Sequence, residues 1–501
     1  MVAPWKNPAN KVSLKQKTVT GLMWSFIENL ANQGTNFIIG IVLARLLVPR
    51  DFGLIGMITI FIAISQSFID SGFSQALIRK KDCTQADYST VFYFNLLVGV
   101  VFYLLLFFSA GAISIFFREP QLKLLVRVLG INLIINALSI IQITQLTKRI
   151  DFKLQTRITV LFSIGSGVIS IWMALNGFGV WSLVAKSLSQ YALQTIFLWI
   201  WNGWRPSWLF DKKSFKEMYS FGAKLLASGL IDTVFRNIYY LVIGKYFSAV
   251  ELGFYTRADQ FQNLPSQNLT GVIQRVSYPV LASIQEDANK LRSAYRKLIK
   301  SSMLLSFVLL IGLAAVAKPL VITLIGIKWL PCVIYLQLLC FSGMLYPLHA
   351  LNLNMLKLQG RSDLFLRLEI IKKTLFVPLI IIGVIWGIKI LILGMLAGSI
   401  FAYFINSYWS GKLIDYSSME QLKDIMPSFL LALVMGAVAY SAGILLHTAQ
   451  WLILIIQIAG GGAFFFAMGE IFGMGDYLYI KRVIKEQLFS GLNRKEIKNE
   501  A

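Results

Sequence analysis

The 501-residue chain is predicted to be an all-α integral membrane protein with about 14 transmembrane helices in two homologous six-helix bundles plus two C-terminal helices. Three observations carry this. The residues are 56% hydrophobic and 14% charged, where a soluble domain carries roughly 25% charged residues, and the mean hydropathy is +0.67. Apolar stretches of about 20 residues, enough to cross some 30 Å of hydrocarbon at 1.5 Å rise per residue, recur along the whole length. Lastly, a pattern repeats at an offset of 200: Val42-Leu43-Ala44-Arg45 then Asp51-Phe52-Gly53-Leu54, and Val242-Ile243-Gly244-Lys245 then Glu251-Leu252-Gly253-Phe254. A second pair, Arg149-Ile150-Asp151-Phe152 and Arg361-Ser362-Asp363-Leu364, agrees at an offset of 212. Homologous halves in a membrane protein commonly enclose a transport path.

Residues 1–18 are polar and basic with no apolar core, and read as a cytoplasmic tail rather than a removable signal peptide. Spans are expected at 19–43, 52–76, 88–115, 122–146, 155–175 and 179–202, which form the N-terminal bundle, residues 19–202. A cytoplasmic linker, 203–217, leads to the second bundle, 218–411, with spans at 218–243, 255–281, 299–320, 329–353, 366–388 and 390–411. Two more spans, 427–446 and 450–473, occupy 412–473, and 474–501 is a basic cytoplasmic tail. The spans near 19, 218 and 255 are expected despite their ionised or strongly polar residues.

Orientation follows from the cations. With both termini in the cytoplasm, 33 of the 47 Lys and Arg residues fall on that side, nine on the other and five within spans. That is the positive-inside bias of cytoplasmic termini. The net charge of +23 is then mostly a topology signal. It is scattered over short loops without a continuous basic face, so nucleic acid is not expected as a partner. Anionic lipid headgroups suffice to explain it.

Missing motifs narrow the chemistry. There is no Gly-Lys-Ser/Thr phosphate loop, no Asp-x-Asp pair, no His-Glu-x-x-His and no Cys-x-x-Cys. No cofactor, metal or catalytic residue is expected, and every connection between spans is short. Cys332 and Cys340 stand eight apart on one helix, about 12 Å by helix rise, too far for a disulfide.

What remains is charge inside the membrane, where each charge costs roughly 2.5–3.5 kcal/mol on insertion scales. Span seven carries Lys224, Ser228, Asp232 and Arg236 at four-residue spacing, one stripe of one helix. At the offset of 200, span one has Trp24, Glu28, Asn32 and Asn36. Span two has Gln66 and Asp70; span eight has Asp259, Asn263 and Gln267, with Arg275 near its end and Pro265 to bend it. Four polar-striped helices can line a lumen. Lys224, Arg236 and Arg275 form a cationic wall suited to a diphosphate. Glu28, Asn32, Asn36, Asp70, Asp232 and Asp259 are the lumen polar or ion-coupling candidates, Glu28 first. A purely structural network, in which these groups satisfy one another, is the competing account.

The run Leu43-Ala44-Arg45-Leu46-Leu47-Val48-Pro49-Arg50-Asp51-Phe52-Gly53, with Gly177-Phe178-Gly179-Val180-Trp181-Ser182-Leu183-Val184, resembles Wzx-type polysaccharide flippases. These belong to the multidrug/oligosaccharidyl-lipid/polysaccharide (MOP) exporter superfamily. The resemblance implies a V-shaped pair of six-helix bundles with spans one, two, seven and eight lining the lumen. It implies that an undecaprenyl-diphosphate-linked oligosaccharide moves from the cytoplasmic to the periplasmic leaflet of the bacterial inner membrane, for O-antigen, capsule or exopolysaccharide. Expected partners are that lipid-linked oligosaccharide, membrane lipids and, beyond them, polysaccharide polymerase and chain-length proteins. A multidrug or cation antiporter, a lipid II flippase, and a membrane polymerase or glycosyltransferase stay open as alternatives. The Arg45–Gly53 run itself has helix capping as its simplest role.

Overall fold

The computed structural model describes residues 14–70, 72–482 and 485–486, and among these every regular element is helical. Packing divides the chain into two compact units, Met1–Gly253 and Phe254–Ala501.

The first unit holds α1 (Leu14–Leu46), α2 (Pro49–Asp70), α3 (Phe73–Arg79), α4 (Gln85–Phe117), α5 (Leu122–Lys148), α6 (Phe152–Leu175), α7 (Val180–Trp201), α8 (Lys212–Tyr246) and the first turn of α9 (Ala249–Ala282). Local chemistry sets these boundaries. Pro49 opens α2, where its missing N–H goes unneeded, and the Val48 N–H donates to Asp51 Oδ2 at 3.2 Å. The Arg45–Gly53 run is therefore a helix junction, as its capping chemistry suggests. Thr84 and Asp87 form a reciprocal capping box on α4. Gly177 and Gly179, with φ of 78° and 54°, make the tight turn between α6 and α7 that the sequence suggests.

Within this unit α1 packs on α6, α4 on α5, α6 and α5 on α7, and α2 on α8. One core cluster joins Phe73, Leu77, Phe92, Ile141, Trp204 and Met218. Beside it, buried Asn202 donates to Gln142 Oε1 and, at 3.1 Å, to Gln145 Oε1. Arg127, a cation inside a span, lies 4.3 Å from the centroid of the Phe107 ring and donates to the Phe107 carbonyl at 3.3 Å, a packing role.

The second unit continues α9 and adds α10 (Ala288–Ala315), α11 (Ala317–Ile325), α12 (Cys332–Gly343), α13 (Tyr346–Leu358), α14 (Ser362–Trp386), α15 (Ile388–Ile414), α16 (Ser418–Leu445) and α17 (Gln450–Ile471). Here α10 packs on α16, α14 on α15, α16 on α17, and both α12 and α13 on α15. A polar knot fixes this packing: Tyr295 Oη and Ser410 Oγ both donate to Asn352 Oδ1, and Asn352 Nδ2 donates to Gln421 Oε1 at 3.3 Å. All four side chains are buried completely. Three spans expected to be single helices are broken: 52–76 between Asp70 and Phe73, 299–320 at Val316, and 329–353 at Met344–Leu345.

Among the described residues ten helices are long and apolar enough to cross a membrane. The protein is thus a multi-pass membrane protein. The other four expected spans fall on α1, α7, α9 and α14, helices of 33, 22, 34 and 25 residues that carry more polar and charged side chains.

Candidate functional site

A cavity of about 770 Å³ opens within the first unit, between α2, α5 and α8. It lies in the size range of ligand pockets. Each wall is a helical stripe. From α8 come Asp232 and Arg236 with Thr233 and Asn237 one position on, so two adjoining rows four residues apart face the same space. From α2 come Gln66, Ser67 and Asp70, followed by Ser74 on α3; from α5 come Asn136, Thr144 and Thr147.

Hydrogen bonds hold the walls in register. Ser67 Oγ lies 3.0 Å from Thr233 Oγ1, joining α2 to α8. Gln66 Nε2 donates to Tyr191 Oη at 2.9 Å, anchoring α2 to α7. Ser74 Oγ donates to Asp70 Oδ1 at 2.6 Å, and Asn237 Nδ2 to the Thr233 carbonyl at 2.8 Å. Asp70, Asp232 and Arg236 are exposed to the cavity's solvent.

The sequence-predicted residues therefore scatter. Asp70, Asp232 and Arg236 meet in the cavity. The side chain of Lys224 lies outside the described residues, although its backbone is part of α8. Glu28, Asn32 and Asn36 point elsewhere: Thr159 Oγ1 donates to Glu28 Oε1 at 3.2 Å, Ser163 Oγ to Asn32 Oδ1 at 3.3 Å, and Asn36 Nδ2 to Asn32 Oδ1 at 2.7 Å. The polar face of α1 is a hydrogen-bonded seam with α6. Asp259 and Arg275 belong to α9 in the second unit, Asp259 half-buried and Arg275 exposed. The α5 wall was not anticipated. Its signal is present all the same, because Asn136, Ile140, Ile143, Thr144 and Thr147 recur at helical spacing in a span that otherwise looks like a bundle helix.

The described lining carries two carboxylates and one guanidinium, the rest being hydroxyl, carboxamide and apolar groups. Among the described residues no cluster of His, Cys, Asp or Glu could hold a metal ion. The arrangement suits binding by hydrogen bonds and charge, without a nucleophile and base placed for bond cleavage.

Comparison with known proteins agrees with this chemistry. A family described as polysaccharide biosynthesis protein matches residues 42–334. The teichuronic acid biosynthesis protein TuaB of Bacillus subtilis (strain 168) is 28% identical over 468 residues, covering 90% of this chain and 94% of that protein. The lipopolysaccharide biosynthesis protein WzxC of Escherichia coli (strain K12) is 27% identical over 450 residues, 87% and 89% of the two chains. In fold, the chain is similar to the solved structure of the lipid II flippase MurJ in an inward closed conformation, with a TM-score of 0.72 at 15% identity, over 91% of this chain and 98% of that one.

Proposed function

The chain belongs to the polysaccharide biosynthesis protein family, and from that premise we propose that it is a MOP-superfamily flippase for a polyprenyl-diphosphate-linked oligosaccharide. It moves this lipid across the bacterial inner membrane for O-antigen, capsule or exopolysaccharide assembly. No bond is made or broken, so the protein is a transporter and not an enzyme. The observation that carries the reading is a polar cavity of about 770 Å³ within a bundle of apolar helices, since polar groups at membrane depth are kept where a pathway needs them.

In detail, fourteen helices cross the membrane as two six-helix bundles and two further helices, with both termini in the cytoplasm. The diphosphate is held by cations, Arg236 first and Lys224 and Arg275 with it, and the sugars ride in the hydrated lumen. The polyprenyl tail trails into lipid, and the halves rock about the site as repeat-built transporters do. Glu28 is the carboxylate through which an ion gradient would couple. Polymerase and chain-length proteins receive the product outside.

One observation favours a second reading: Asp70 and Asp232 outnumber Arg236 in the described lining, as a cation exporter of this fold would have it. Proteoliposomes decide between them. Labelled undecaprenyl-diphosphate oligosaccharide should cross in a protein-dependent way, slowed about tenfold or more by Arg236→Ala, the loss of one charge-assisted contact. Uptake of a cationic dye without movement of the lipid would establish the exporter instead.

A further inference from the structure

The cavity is graded along its length. Thr147 sits one residue before the end of α5, and Asp70 is the last residue of α2. Asn136 is eleven residues further into α5, roughly 16 Å by helix rise. On α8, which runs beside α2 with Gly72 against Gly222 at one level and Ser67 against Thr233 further in, Arg236 lies nearly one helical turn deeper than Thr233. Lys148 Nζ donates to the Leu77 carbonyl at 3.0 Å, which sets the end of α5 beside α3, so the mouth is marked by Ser74, Ile78 and Thr147, with Asp70 about one turn further in. The other end is the interior, marked by Asn136, Arg236 and Asn237.

The chemistry changes with that depth. The guanidinium, the group fit for phosphate oxygens, stands at the interior end. Toward the mouth from it the polar groups are two carboxylates, Asp232 one turn away and Asp70 beyond, with hydroxyls and a carboxamide, which exchange hydrogen bonds with polyols and offer a phosphate little. Asp70 already accepts from Ser74 Oγ on one oxygen, and a carboxylate has acceptor sites for more than one donor. Thr147 Oγ1 accepts from Gln155 Nε2 at 2.9 Å, which leaves its own O–H to donate.

Resting on the flippase reading above, we infer that this trough is a saccharide cradle with a fixed polarity. The reducing-end diphosphate lies at Arg236, and the sugars run outward past Asn136 to Asp70 and Thr147. α2 and α5 thereby read the distal sugars, and α8 holds the anion. Asp70 and Thr147 are specificity residues, and the chain length of the oligosaccharide decides whether they are engaged at all.

The test compares two lipids in proteoliposomes: undecaprenyl diphosphate bearing the full repeat-unit oligosaccharide, and the same lipid bearing its first sugar only. Asp70→Asn combined with Thr147→Val should slow the full lipid about tenfold and the single-sugar lipid less than threefold, with Thr147→Ser keeping wild-type discrimination. Arg236→Ala should slow both alike. Equal effects of the Asp70/Thr147 variant on both lipids, or none on either, overturn the cradle. A second measurement covers the case in which the wild type moves neither lipid, an outcome that counts against the flippase reading alone. In a Thr147→Cys variant, lipid-free repeat-unit oligosaccharide should slow maleimide labelling of the new thiol at least threefold, and unchanged labelling sinks the inference.

Discussion

Gly53 lies directly against the Ala249 backbone: a Cβ built on Gly53 would stand 1.6 Å from the Ala249 carbonyl oxygen. The relation is reciprocal, since a Cβ on Gly253 would stand 1.9 Å from the Pro49 carbonyl oxygen. Pro49 and Ala249, like Gly53 and Gly253, are equivalent positions of the internal repeat at its offset of 200. The repeated motif thus meets its own copy, and two helix starts, those of α2 and α9, cross backbone to backbone. Such an approach admits only glycine.

Gly53→Ala should consequently destabilise the protein by at least the usual overpacking cost of about 1–3 kcal/mol, because the obstructing atom is backbone and cannot rotate away. Gly253→Ala should match it. Thermal unfolding in detergent, followed by size-exclusion fluorescence, checks this; a wild-type midpoint in either variant would show that the crossing yields easily.

Asn352→Leu should be among the most damaging changes in the second unit. It strips Tyr295 of its acceptor and Gln421 Oε1 of its donor at full burial, and leaves Ser410 only the Ser407 carbonyl at 3.3 Å. Each orphaned group costs about 1–3 kcal/mol, and Tyr295→Phe, which removes one member cleanly, should cost about 1 kcal/mol. Denaturation midpoints of the two variants should separate accordingly.

Glu28→Gln separates structure from coupling. The Gln side-chain oxygen can still accept from Thr159 Oγ1, so the seam between α1 and α6 should persist and stability should change by less than about 0.5 kcal/mol. Thr159→Val removes the same bond from the other side and keeps the carboxylate. If Glu28 couples an ion, only the Glu28 variant should lose gradient-driven transport; equal transport loss in both variants would mark it as a structural acceptor.

At the start of α14, the N-cap residue Arg361 and Asp363 of the first turn pair at 3.0 Å, ahead of the expected span 366–388. Hydrogen bonds from the guanidinium hold the Asp363 carboxyl down at about 2, against an ordinary value of 3.8. A depressed folded value means that the pair's contribution is full above 3.8 and is lost as the pH falls through about 2. The difference in thermal midpoint between wild type and Asp363→Asn should be constant above pH 4 and vanish toward pH 2. A difference that persists at pH 2 would assign the effect to helix capping instead.

Much of this was legible in the chain itself. Composition and the length of the apolar stretches determine a multi-pass helical membrane protein, because a hydrocarbon core admits few backbone solutions. The four-residue spacing of Asp232 and Arg236 places both on one face of a helix wherever that helix sits. The repeat was visible as well, down to the glycines. Tertiary structure decided which polar faces meet. Glu28 and Asn32 look as functional in the sequence as Asp232, and the structure pairs them with Thr159 and Ser163 of α6, whereas Asn136 and Thr147 of an unremarked helix line the same cavity as Arg236. Spacing along one helix defines a face. Only the packing of distant helices decides whether that face meets a neighbour that satisfies it or a space that a substrate can fill.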